Sequence, residues 1–280
     1  MYNLPRFVLT CLAVGALLLS VSNLAHAAGP ILDKNLEAAV RDVLKKPDTK
    51  KPLTAADLKN VYILKSRGKD ITTLSGLEKC TNLAALDLSN NAVKDLKPLA
   101  DLKNLQSLDL SNNRIEDVTP LGKLVKLQYL QLEGNKIETI SGLKNLNKLS
   151  ALYLSKNRIK SLKPLEGMVK LSSLYLDGNR ISDISPLEKL KWLSSLDLTD
   201  NFVTNVTPLL GMTELRYTML NKNRISDISA LVIMALKDSE GDRRFAPYWN
   251  LFLAGNPLSQ SSKTAHLAEL KKIGVRVSME

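Results

Sequence analysis

The chain has 280 residues, 44% of them apolar and 5% aromatic, with 39 Lys and Arg against 28 Asp and Glu and a formal charge of +11. That is long enough for one large domain or two small ones, and too rich in leucine for a disordered chain. No apolar run reaches the roughly 17–25 residues that a membrane-spanning helix needs, so a transmembrane segment is not expected.

Residues 1–27 come first. Arg6 precedes an apolar run from Phe7 to Val21, and Ala25-His26-Ala27 follows. A basic start, a short greasy middle and a small-x-small ending read as a secretory signal cut after Ala27, with a retained N-terminal anchor as the alternative. Thr10 before Cys11 is not the small residue of a lipoprotein cleavage site. Export to a periplasm or to the medium is therefore expected. Cleavage removes Cys11 and His26, which leaves Cys80 and His266. One cysteine forms no internal disulfide. Structural zinc, a Cys/His protease and a Ser-His-Asp triad all need more Cys or His, or a better placed His. A non-catalytic protein without metal or cofactor is the expectation.

Residues 28–60 read as a helical cap. Over Asp33–Lys46 the spacing puts Leu36, Val40, Val43 and Leu44 on one helical face, and Thr54-x-x-Asp57 resembles a short capping box. Residues 61–258 are organised by a period of 22. Leu83, Leu105, Leu127, Leu149, Leu171, Leu193 and Leu215 each open the pattern L-x-x-L-x-L-x-x-N-x-[IV], with Thr218 the one departure from the second leucine slot. Asn91, Asn113, Asn135, Asn157, Asn179, Asn201 and Asn223 fill the asparagine slot. A weaker copy precedes them, and another that carries Asn256 follows an insertion at 237–247, making nine units.

The L-x-L segment has period two, which makes a short strand with its leucines inward; copies 22 apart stack as a parallel sheet. The asparagine amide, both donor and acceptor, can satisfy the turn's backbone and that of the neighbouring unit. Pro98, Pro120, Pro164, Pro186 and Pro208, with Gly142 and Ala230 as exceptions, begin the outer return as an extended or single-turn 3-10 path. One unit cannot bury its own core, so the ends must be covered. Residues 259–280 supply the second cap: Leu267, Leu270 and Ile273 share a helical face, Gly274 stops the helix, and Val275-Arg276-Val277 reads as a last strand. The expected fold is an α/β solenoid, an arc with a parallel concave sheet and thin outer segments.

The units LxxLDLSNNxVxDLxPL and LxxLYLDGNRISDISPL, with the junction DLKNVYILKSRGKDITTLSGLEKCTNL, resemble the 22-residue leucine-rich repeat of bacterial internalins, a class shared by a eukaryotic phosphatase-regulating repeat protein. The resemblance spans roughly residues 31–280. It implies that a ligand, usually another protein, is gripped on the concave face. There is no cell-wall sorting signal, no immunoglobulin-like module and no surface-anchoring repeat in the sequence, so host-cell invasion does not carry over.

That face is read as Asp87, Asp109, Tyr129, Gln131, Glu133, Tyr153, Tyr175, Asp177, Asp197, Tyr217, Met219 and Phe252. It is mostly acid and tyrosine, with Lys156 as the positive charge among them. Tyrosine is a good strand residue on a solvated sheet, but Tyr and Met are also enriched at interfaces. Asp87 and Asp109, like charges about 5 Å apart on adjacent strands, would be relieved by a basic protein or peptide. Aspartates there could also take Ca²⁺, but the oxygen-dense loop such sites use is missing.

A second surface carries Arg114, Lys136, Arg158, Arg180 and Arg224 after the asparagines. It could grip an anionic glycan or other polyanion, the alternative function; export argues against nucleic acid. Asp117, Asp183 and Asp227, three residues on, are expected to pair with these arginines. Cys80 fills an aliphatic slot and reads as a buried inert thiol. His266 reads as a solvated residue without an acidic or serine partner. The insertion is either a tolerated loop or a lip over the concave face. Oligomeric state is left open.

Overall fold

The computed structural model describes residues 29–241 and 243–280. The segment read as a secretory signal, 1–27, lies outside the described residues. Among the described residues no helix is long and apolar enough to cross a membrane.

Among the described residues ten three-residue strands form one parallel sheet in chain order: β1 Ile63–Lys65, β2 Ala85–Asp87, β3 Ser107–Asp109, β4 Tyr129–Gln131, β5 Ala151–Tyr153, β6 Ser173–Tyr175, β7 Ser195–Asp197, β8 Tyr217–Met219, β9 Asn250–Phe252 and β10 Arg276–Ser278. From β1 to β8 every register step is one repeat: Leu86 faces Leu108, which faces Leu130. The middle residue of each of these strands points inward, where the leucines are at most 2% exposed. The core is thus a column of leucines from Leu64 to Leu251, interrupted by the buried Thr218 on β8 and closed by helices at both ends.

The outer returns are 3-10 turns: Lys97–Leu99, Thr119–Lys123, Ser141–Leu143, Lys163–Leu165, Ser185–Leu187 and Thr207–Leu209. Five carry proline in their first two positions, where its fixed φ suits the turn and a missing N–H costs nothing. A short polar side chain two residues earlier accepts the first backbone N–H of the turn. Asp95, Asp117, Asp183 and Asn205 do so at 2.8–2.9 Å. Thr139 and Ser161 do so more loosely, at 3.4 Å. Gly142 stands where the other turns have proline because the chain is too close for anything larger: a Cβ there would lie 2.5 Å from Thr119 Cα.

Where Ala230 replaces proline, the return becomes a true helix, α3 (Ser229–Glu240; the cap helices α1, α2 and α4 are given below). Leu231, Met234 and Ala235 bury against the outer turns and the C-terminal cap helix. The Asp238 carboxylate then folds the rest of the insertion: Oδ1 accepts from Arg244 N (2.9 Å), Oδ2 from Phe245 N (3.2 Å) and Ala246 N (2.9 Å). Phe245 and Trp249 are fully buried with ring centroids 5.5 Å apart. The reading of 237–247 as a lip over the concave face is therefore corrected. Its apolar side chains need cover, and the outer side of the solenoid offers it.

In the N-terminal cap, Asp33 Oδ1 accepts from Asn35 N and Leu36 N at the start of α1 (Lys34–Leu44). Its other oxygen accepts from Thr72 N (2.9 Å), Thr72 Oγ1 (3.2 Å) and Thr73 N (3.3 Å), so one carboxylate both starts the helix and fastens it to the first repeat. Helical spacing assigns Val43 to the buried face, but it is 40% exposed, whereas Arg41 is 5% exposed. The Arg41 guanidinium reaches the carbonyls of Lys46, Asp48 and Lys51, which form a ready-made cage for a cation. The short α2 (Ala55–Leu58) has the Thr54/Asp57 capping box. At the far end a wide turn, Ser262–His266, leads into α4 (Leu267–Ile273), and Gly274 at φ +102° lets the chain double back into β10.

Candidate functional site

The asparagines hold the strand ends at a fixed spacing and so set the face above them. Asn113 Oδ1 accepts from Val93 N at 2.9 Å, while Nδ2 donates to Leu88 O (2.9 Å) and Leu110 O (3.0 Å). Each amide thus ties its own turn to the preceding unit. Asn135, Asn157, Asn179, Asn201, Asn223 and Asn256 repeat this, and Asn91 does so against Ser66 and Ile71. Only a side chain with an acceptor and a two-hydrogen donor serves here, which aspartate is not.

On this frame the sheet's outward residues form straight columns. Lys65, Asp87, Asp109 and Gln131 stand in register along one, continuing through Tyr153, Tyr175, Asp197, Met219 and Phe252. One parallel strand spacing, about 4.8 Å, suits ring stacking. Tyr153 and Tyr175 are stacked at 4.9 Å and 12°. Tyr129, on the diagonal, adds a tilted ring at 5.4 Å and 46°. Burial, then the charge of Asp109, raises the Tyr129 hydroxyl above its ordinary range; burial, then Tyr175, does the same for Tyr153. The two phenols stay neutral donors at any physiological pH.

Beside Tyr129 the small residues Ala85 and Ser107 leave a shallow pit of about 190 Å³, with Lys65, Asp87, Asp109 and Tyr129 around it. Asp87 and Asp109 are in register, as their spacing demands. Each is nevertheless held locally. Asp87 Oδ1 accepts from Ser89 N (2.9 Å) and Ser89 Oγ (2.7 Å), and Asp109 does the same with Ser111. The expected strain between bare like charges is corrected to two carboxylates pinned by Oδ1. Their Oδ2 atoms have no hydrogen bond among the described residues. Lys65, Ala85 and Ser107, set on this face by the repeat but not among the residues read as contacts, are also parts of the site. The signal was there: small side chains in the column that Tyr129 enters.

The remaining candidates are spread out. Glu133 is bonded to Lys156 Nζ at 2.7 Å, which holds the lysine proton more firmly than usual. Asp177 lies beside them at the strand ends. Asp197 is half-buried, and burial raises its carboxyl despite the hydrogen bonds from Thr199. Tyr217 is half exposed on β8, two strands from Tyr175 and outside the ring stack. Met219 and Phe252 stay with it at the C-terminal end.

Away from this face, two readings change. The ridge arginines do not pair with the aspartates three residues on. Asp117, Asp183 and Asp227 are held low by hydrogen bonds from Thr119, Ser185 and Ser229, since each caps the turn that follows it. His266 is not without partners: its Nδ1 lies 3.3 Å from Ser262 Oγ and 3.7 Å from Asp227 Oδ1. Both meet the same nitrogen and Ser262 is wholly buried, so this is a tie between the cap and the last repeats rather than a catalytic triad. Cys80 is buried, and burial pushes its thiol up to about 12.

The family model for leucine-rich repeats in two copies matches residues 103–145, 147–189 and 170–211. The structure is similar to internalin C2 of Listeria monocytogenes, at 32% identity over 72% of this chain and 89% of that one, with a TM-score of 0.70. The chain belongs to the internalin-like leucine-rich repeat family. Two more distant structures share the fold of this internalin-like chain. A leucine-rich repeat protein of Leptospira interrogans is 23% identical over 80% of this chain and 56% of its own, with a TM-score of 0.66. A plant membrane receptor kinase ectodomain from Arabidopsis thaliana, in complex with Casparian strip integrity factor 2, is 23% identical over 73% of this chain and 26% of its own, with a TM-score of 0.58. No curated protein sequence matches the chain.

Proposed function

We propose that this internalin-like chain is an exported, non-catalytic binding module whose concave face holds a protein or peptide partner with a basic surface. The observation that carries the reading is the row Tyr129, Tyr153 and Tyr175 beside the Asp87/Asp109 pit. The tyrosines offer rigid, amphipathic area on a sheet that has already lost its conformational freedom. The two pinned carboxylates offer outward oxygens for an arginine or lysine of the partner. The buried Cys80 and Ser262 offer no accessible nucleophile.

The test is crosslinking with mass spectrometry on the native cell envelope and culture medium, followed by titration of the recovered partner. Asp87→Lys with Asp109→Lys, and separately Tyr153→Ala, should each weaken binding by about 10–100-fold. Unchanged recovery with all three substitutions would remove the concave face from the interaction.

A further inference from the structure

The residues after the ladder asparagines form a true column. Arg114, Lys136, Arg158, Arg180, Phe202 and Arg224 each donate their backbone N–H to the residue 21 positions earlier, at 2.8–2.9 Å, which places every side chain one repeat beyond the last. All six are exposed. Five steps of about 4.8 Å set Arg114 and Arg224 about 24 Å apart along the edge where the strands end.

The nearest acids in sequence are otherwise engaged. At the capping position two residues before each outer turn, aspartate alternates with Thr139, Ser161 and Asn205, which are neutral. The slot therefore selects a short acceptor for a backbone N–H rather than a negative partner for arginine. Within the column, Arg158 meets Glu138 at 3.7 Å through an exposed contact of little strength. Among the described residues, Arg114, Lys136, Arg180 and Arg224 have no carboxylate within ion-pair distance. Glu116 beside the column is turned to Lys94 at 3.8 Å, and Asp200 is the exposed acid on the other flank.

We propose that this ridge is a second binding surface, independent of the concave face, for a linear anionic polysaccharide carrying about one sulfate or carboxylate per sugar. Single file favours a single-stranded polymer over a duplex, whose two phosphate tracks would need two rows. Single-stranded nucleic acid is bound by stacking bases on free aromatic faces. The one aromatic in the column, Phe202, has a ring face taken by the Arg224 guanidinium, 4.5 Å from the ring centre. What the ridge presents is one cation per repeat from Arg114 to Arg180, then Arg224 two steps further on, and no free stacked platform for bases.

The test is titration of the full chain with heparin oligosaccharides of increasing length at several salt concentrations. Affinity should rise with length and level off once the ligand spans about 24 Å. Arg158→Gln/Arg180→Gln/Arg224→Gln should lower affinity at least tenfold and flatten the slope of log affinity against log salt by about three. Lys144→Gln/Lys148→Gln/Lys170→Gln removes the same charge elsewhere and should change both far less. Equal losses from the two triple variants would reduce the effect to net charge and overturn the proposal. So would tighter binding of a single-stranded oligonucleotide, of polyglutamate or of phosphatidylserine vesicles than of heparin. All these variants leave Asp87, Asp109 and the tyrosines intact, so failure here leaves the concave-face reading standing.

Discussion

Trp249 Nε1 donates to Thr218 Oγ1 at 2.9 Å, and both side chains are fully buried. The single break in the leucine column thus lies where the column meets the insertion. An indole N–H brought into the core by the longer return needs an acceptor there, and leucine has none. Restoring the repeat pattern with Thr218→Leu should therefore destabilise the protein by about 1–3 kcal/mol, since it orphans a buried donor and adds volume. Thr218→Ser, which keeps the hydroxyl, should lose less. Urea denaturation of the two variants checks the order, and a more stable leucine variant would show that the hydrogen bond is not what matters.

The asparagine ladder predicts a substitution whose effect exceeds its size. Asn157→Asp keeps the shape and the acceptor for Ile137 N, but loses the donor to Leu132 O and Leu154 O and buries a charge against carbonyls. A loss of about 2–4 kcal/mol is expected in denaturant melts at neutral pH. Asn91→Asp, at the less buried end of the ladder, should cost less.

Gly142 is the second place where the consensus residue should harm. A Cβ at this position would meet Val118 O at 2.7 Å as well as Thr119 Cα. Gly142→Ala is expected to cost about 1–3 kcal/mol and Gly142→Pro at least as much, although proline is the rule in the neighbouring turns. Thermal unfolding of the two variants beside Pro164→Ala would show whether crowding or turn propensity governs the site.

Acid should weaken the N-terminal cap. Burial raises the Asp33 carboxyl, but the hydrogen bonds from Thr72, Leu36 and Thr73 outweigh it and hold it below the ordinary 3.8. Asp57, bonded to Lys46 and Thr54, is held at about 2. A depressed folded value means that the stabilisation is present above the unfolded value of 3.8 and is lost as pH falls through the folded one. Stability should hold down to about pH 4.5 and decline below it, with α1 losing hydrogen-exchange protection before the central strands. Asp33→Asn should flatten that decline. Asp197 acts in the opposite sense, because burial raises its value, and it offsets part of the loss as it takes up a proton.

Much of the fold was legible because each 22-residue unit repeats the same leucine, asparagine and proline slots. Leucines at fixed intervals must stack, an asparagine at the bend must bond across units, and a proline on the return must keep it thin. The columns of the concave face follow from the same register, which sets Tyr153 beside Tyr175. The tyrosine row is a finer matter. Tyr129 joins it on a diagonal, whereas Tyr217, equally regular in sequence, stands apart on β8.

Competition between neighbours was not legible. Asp183 stands three residues from Arg180 and two from Ser185, and only the three-dimensional path shows that the Ser185 backbone N–H takes the carboxylate. Arg41 and Val43 exchange inside and outside because three carbonyls of the loop just after α1, together with Glu37, surround the guanidinium. His266 finds Asp227 across 39 positions of chain, and the 237–247 segment turns outward because apolar cover lies on that side. Repetition alone therefore determined the solenoid, its inward leucines and its asparagine spine, since each is an interaction between equivalent positions. The tertiary structure alone decided which carboxylates remain free, which cations stand unpaired on the ridge and where the insertion rests. Those outcomes depend on which of several nearby partners comes within hydrogen-bonding distance, and sequence spacing does not rank them.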